Sequence, residues 1–162
     1  MSDMKTAPAK VDPAVWRTVW TVLVGGLAVL FDTTIVAVAL HTLADDLDVS
    51  VSTIQWVSTV YLLALAVTIP IAGWAQRVLG SKRLWIAALA LFLVGSVLSS
   101  LAWSAVSLIA FRAVQGVAGG VLVPLMSTLV VQAAGGDNLG RVMSVVSLPA
   151  VLGPILGPVV GG

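Results

Sequence analysis

Five apolar stretches, at about 18–40, 53–74, 84–103, 105–132 and 142–162, take up most of this chain and carry almost no charge. A helix rises about 1.5 Å per residue, so roughly 20 such residues cross the hydrocarbon core of a bilayer. The expected fold class is therefore all-α, a polytopic membrane helix bundle. Composition agrees: 59% of residues are apolar, 9% are charged, and the mean hydropathy is +1.11. The first stretch is too long for a cleaved signal and lacks a small-residue cleavage site, so it should remain as a span.

Charge sets the orientation. The polar segment 1–17, with Lys5, Lys10, Pro8 and Pro13, reads as a cytoplasmic tail. Lys5, Lys10, Arg17, Arg77, Lys82, Arg83 and Arg141 fall on the tail and on every second connection. The intervening connections, around Asp45, Asp46 and Asp48 and around Ser104, have no Lys or Arg. Positive charge stays inside, so the N-terminus is expected in the cytoplasm of a multi-pass protein of the cell membrane. The six tryptophans fall near expected span ends, as an aromatic belt would.

Composition also excludes several classes. A net charge of +1 gives no reason to expect a nucleic-acid partner. With no cysteine there is no disulfide, thiolate metal site or cysteine nucleophile. One histidine and scattered acids make no metal site, and no phosphate-cradling glycine loop, catalytic triad or carboxylate pair is present. No cofactor and no enzyme activity are expected.

The connections are read as loops at His41–Ser52, Gln76–Arg83 and Ala134–Arg141. Ser52 with Gln55 fits a capping box for the second span. Gly80 supplies a tight turn. Asp137 and Asn138, beside two glycines, have the look of turn residues.

Only Asp32 and Arg112 place formal charge inside spans, where charge is costly and functional by default. Asp32 precedes the outer end of its span by eight residues, and Arg112 follows the outer start of its own by seven. Both therefore lie roughly 10–12 Å below the outer surface. A facing pair, or two charges on one cavity, is expected. Burial disfavours an ionised carboxylate and a nearby guanidinium favours it, so a rearrangement there would move a proton. A structural ion pair joining two helices is the other reading of the same residues.

The residues Leu148–Gly162 are apolar throughout and rich in proline and glycine. Gly153, Gly157 and Gly161 repeat every four residues and share one helix face, which suits close helix packing. Pro154 and Pro158 should bend the helix. Gly153–Gly162 follows GxxxGPxxGG without departure and resembles the antiporter motif in the fifth helix of the major facilitator superfamily. The sequence ends within this motif, which suggests a fragment of a longer protein.

Leu30–Leu40 resembles the first-helix motif LDxTIVNVALP of that superfamily's fourteen-span drug:proton antiporters, with Ala37 in place of Asn and His41 in place of Pro. His41 is either a titrating group or an interfacial residue replacing a helix stop. Gln55-Trp56-Val57 and Tyr61-Leu62-Leu63 look like that family's second helix. Leu108–Gly120 is similar to the fourth-helix motif through Arg112, Gln115 and Gly116, with Ala118 replacing a glycine. The turn between spans two and three matches the superfamily signature at Gly73, Gly80, Lys82 and Arg83. Arg77 stands where that signature has aspartate, so the cytoplasmic latch must be rewired or weaker.

The resemblance implies the five N-terminal spans of a major facilitator fold. It implies proton-coupled efflux of drugs or other amphipathic molecules by alternating access, with Asp32 and Arg112 at the proton site. The partners would be protons, a small-molecule substrate, the lipid bilayer and further C-terminal spans of the same protein. Export of an endogenous metabolite and a non-transporting scaffold are the alternatives.

Overall fold

A computed structural model describes the backbone of residues 13–161 and the side chains of 13, 15–134 and 140. Five helices follow one another: α1 Pro13–Asp46, α2 Val51–Ile54, α3 Trp56–Leu79, α4 Ser81–Ser100 and α5 Ala105–Gly161. Gln55 keeps right-handed helical dihedrals between α2 and α3 (φ −58°, ψ −24°), so the two form nearly one rod. Among the described residues, Val15–Asp46, Val51–Leu79, Ser81–Ser100 and Ala105–Ala134 are long and apolar enough to cross a membrane. The chain is an all-α membrane helix bundle.

The helices meet along α5, which packs against α1, α3 and α4. Val19, Val22 and Leu23 of α1, Tyr61 of α3, Phe92 of α4 and Leu122 of α5 belong to the main apolar core. A smaller cluster of Ala44, Ile54, Val57 and Leu108 closes the other end. Large apolar side chains such as Leu62, Val67, Trp74 and Leu93 point outward and are exposed. Such a surface suits lipid, where apolar exposure has no cost and a helix satisfies its backbone groups internally along the span.

Small residues let the backbones approach. A Cβ on Gly116 would overlap the Tyr61 carbonyl, and one on Gly120 would lie 2.6 Å from the Leu65 carbonyl oxygen. Gly25 fits under Trp85 and Gly26 under Met126, so this pair in α1 serves packing. Trp85 is therefore buried in the bundle, unlike Trp20, Trp56, Trp74 and Trp103, which are exposed.

The connections are shorter than the sequence suggests. Helix α1 runs on through His41 to Asp46 because nothing there breaks it and Ala44 is buried. The cap of α2 is Ser50 rather than Ser52: its Oγ accepts from the Thr53 amide at 3.2 Å. Between α3 and α4 only Gly80 leaves helical geometry, at φ 78° and ψ 149°. Gln76–Leu79 and Ser81–Arg83 are helical, not turn. The expected loop Ala134–Arg141 is also helical, since α5 continues through it to Gly161. No proline stands between Pro124 and Pro149, and a glycine weakens a helix by only about 1 kcal/mol. The stripe expected at Gly153, Pro154, Gly157, Pro158 and Gly161 lies outside the described side chains, and Gly162 outside the described residues.

Candidate functional site

Asp32 and Arg112 come together from α1 and α5. The Arg112 guanidinium donates from Nη1 to Asp32 Oδ2 at 2.5 Å, the one ion pair among the described residues. Arg112 is 2% exposed and Asp32 13%. Gln115, one turn after Arg112 and fully buried, ties the pair into a ring. Its Oε1 accepts from Arg112 Nη1 at 2.8 Å, and its Nε2 donates to Asp32 Oδ1 at 2.7 Å. Both carboxylate oxygens are thus satisfied by groups on α5. Hydrogen bonds to charged groups are worth about 1.5–3 kcal/mol each, so this ring fixes the rotation of α1 against α5.

Helix α3 covers the site from another side. The Arg112 guanidinium carbon lies 4.4 Å from the centroid of the Tyr61 ring, a cation–π contact. The Tyr61 hydroxyl and Arg112 Nε are buried without a hydrogen-bond partner. Gly116 makes this contact possible by admitting the Tyr61 backbone to the face of α5 that carries Arg112 and Gln115.

A cavity of about 410 Å³ opens beside the pair, lined among others by Phe31, Asp32, Phe92, Ser96, Ser99 and Arg112. Ser99 Oγ reaches Gln115 Oε1 at 3.5 Å. The cavity extends along α1 toward Leu43 and reaches Leu108 near the start of α5. It therefore lies on the side of the bundle where α1 ends and α5 begins. Asp32 thus stands at the wall of a polar-flecked cavity and is held there by a permanently charged guanidinium.

The turn residues behave differently. Gly80 adopts a positive φ that side chains rarely tolerate, whereas a Cβ on Gly73 would meet nothing within 4 Å. Arg77, Lys82 and Arg83 make no ion pair among the described residues. At this end the helices are joined by neutral groups instead: Gln76 Nε2 donates to Ser81 Oγ at 2.9 Å, and Ser81 Oγ reaches Gln132 Oε1 at 3.5 Å.

Sequence reasoning placed Asp32, Arg112, Gln115 and Gly116 in motifs but did not give Tyr61 a place at the site. A signal existed: Tyr61 is the single tyrosine of the chain and falls within a span, not at an interface.

The family model of the Major Facilitator Superfamily matches residues 22–162. The chain belongs to the Major Facilitator Superfamily. It is 38% identical over 161 residues to the multidrug resistance protein B homolog of Mycobacterium tuberculosis H37Rv, covering 99% of this chain and 30% of that protein. It is 38% identical over 133 residues to the multidrug export protein EmrB of Haemophilus influenzae, covering 82% of this chain and 26% of that one. A putative multidrug resistance protein MdtD of Pectobacterium carotovorum is 35% identical over 147 residues, 91% of this chain and 31% of its own length. The chain thus spans about 30% of the length of the curated relatives it matches. As a superfamily member with four such helices, it is a multi-pass membrane protein.

Proposed function

We propose that this chain forms the N-terminal helices of a proton-coupled exporter of drugs or other amphipathic small molecules in the cell membrane. Its N-terminus would face the cytoplasm, and further C-terminal spans of the same protein would complete the transport pathway. The names and lengths of the relatives support the substrate class and the larger protein. A fifth span from about residue 142 would require the chain to turn near Gly135–Gly140. The observation that carries the reading is the buried Asp32–Arg112–Gln115 ring beside a cavity.

The proton step follows from that ring. A proton arriving through the cavity binds Asp32 and neutralises the carboxylate, which removes the charge attraction to Arg112. Arg112 keeps Gln115 Oε1 and the Tyr61 ring but loses its counter-charge, which destabilises the closed arrangement. Helices α1 and α5 are then free to change their relative rotation. On the opposite side of the cycle the proton leaves and the ring re-forms. Alternating exposure of one site near the midplane would couple this exchange to outward movement of a solute.

The test is Asp32→Asn in the full-length protein, reconstituted in vesicles with an imposed proton gradient and a lipophilic cationic dye. The amide preserves size and can still accept from Arg112, and thermal melting of the variant in detergent separates a loss of fold from a loss of coupling. Gradient-driven efflux should fall at least 100-fold. Efflux at more than half the original rate would overturn the proposal.

A further inference from the structure

A second cavity, of about 470 Å³, lies at the end of the bundle away from the ion pair. It is walled by Arg17, Thr21 and Val22 of α1, Lys82 and Trp85 of α4, and Leu129 of α5, among others. From these features we infer a binding site for one anionic phospholipid, with its phosphate between Arg17 and Lys82 and its acyl chain along α1 and α4.

The charged side of the cavity points to an anion. Arg17 and Lys82 approach the same space from two helices, and neither forms an ion pair among the described residues. Helix α4 begins at this site with no side-chain cap at Gly80 and no acid in its first turn. The positive end of its dipole therefore faces Lys82 and Arg83, an unfavourable arrangement that an anion would relieve. Trp85 lines the same cavity and is 5% exposed, so it forms a fixed inner wall.

The remaining walls decide between a lipid and a free anion. Below the two cations the lining is apolar, through Val22, Ile86 and Leu129. Ile86 and Trp20 are exposed on the outside of the bundle nearby. A soluble phosphate leaves that groove empty, whereas a phospholipid fills both parts. A volume of this size is typical of a small-molecule site. Basic pockets between helices on the cytoplasmic side suit anionic headgroups, each cation near the surface contributing about fivefold in affinity. The assignment to the cytoplasmic leaflet rests on the orientation proposed above, while the binding itself does not.

The experiment uses the full-length protein in neutral detergent and measures retained lipid by native mass spectrometry. This readout needs neither transport nor a proton gradient, so its failure is distinct from failure of the efflux reading. Phosphatidylglycerol should bind at one copy and at least tenfold more tightly than phosphatidylcholine. Arg17→Gln with Lys82→Gln, both at exposed positions, should lower its affinity about 25-fold, two fivefold steps combined. Arg17→Lys with Lys82→Arg should restore it, and Arg77→Gln should leave it unchanged. Equal retention of the two lipids, or an equal loss in Arg77→Gln, would overturn the site. So would full displacement by inorganic phosphate at the lipid's own concentration, which would make it a site for a free anion.

Discussion

The ion pair between α1 and α5 illustrates how a membrane helix bundle handles charge. Arg112 is permanently charged and almost fully buried, and it faces one carboxylate, one amide oxygen and one aromatic ring. Removing one partner of a buried pair costs about 3–5 kcal/mol, because the other is left uncompensated. Tyr61 allows a finer dissection. Its hydroxyl has no hydrogen-bond partner, so Tyr61→Phe removes an unsatisfied polar group and keeps the ring over Arg112. That variant should melt within about 1 kcal/mol of the parent, or above it. Tyr61→Leu loses the ring and should cost about 1–2 kcal/mol more than Phe, the range of a desolvated cation–π contact. Thermal melting of the purified protein in detergent reads both. A Phe variant as unstable as the Leu variant would show that the hydroxyl, not the ring, supports the arginine. Asp32 and Arg112 were legible as a pair because each helix fixes depth at a known rise per residue. Gln115 and Tyr61 as their neighbours were not, since those contacts depend on how each helix is rotated about its own axis.

Between elements, glycine sets how closely α3 and α5 approach, and different glycines have opposite tolerance. Gly116 meets the Tyr61 carbonyl and the Ala64 side chain, while Gly73 faces open space on the same helix pair's periphery. Gly116→Ala should therefore force the helices apart and cost about 1–3 kcal/mol, as overpacking does. It should also lower gradient-driven efflux by displacing Tyr61 from Arg112. Gly73→Ala sits inside a helix and should be neutral or stabilising by up to about 1 kcal/mol. Comparing the two melting temperatures checks this directly, and equal destabilisation would mean that helix propensity outweighs packing here. The need for glycine at position 80 could be read in the sequence, because a single-residue reversal needs a backbone that side chains rarely adopt. The ends of α1 and α4 could not. His41–Asp46 has no helix breaker, and whether such a stretch continues as helix is decided by the burial of Ala44 against Ile54, Val57 and Leu108.

At the scale of the whole molecule, length sets the main constraint. Helix α5 has 57 residues, which at 1.5 Å each is about 85 Å, nearly three times a hydrocarbon core of about 30 Å. Ala105–Ala134 already satisfies the length of one crossing. A straight continuation would carry Gly161 about 40 Å beyond Ala134 into water, together with an apolar run that lacks any charge after Arg141. Burying that run in lipid is far more favourable, at about 25 cal/mol per Å² of apolar surface. Gly135, Gly136 and Gly140 are the cheapest place to break the helix, since each already weakens it. In a bilayer the chain is therefore expected to turn there and recross. The natural absence of cysteine makes this testable with single substitutions. Asp137→Cys should react with an impermeant maleimide from the cytoplasmic face, and Asp46→Cys from the opposite face. Gly161→Cys should be reached from the side of Asp46 or not at all. Labelling of Gly161→Cys from the cytoplasmic face, together with Asp137→Cys, would mean that the long helix persists in the membrane, and the five-span arrangement would have to be abandoned.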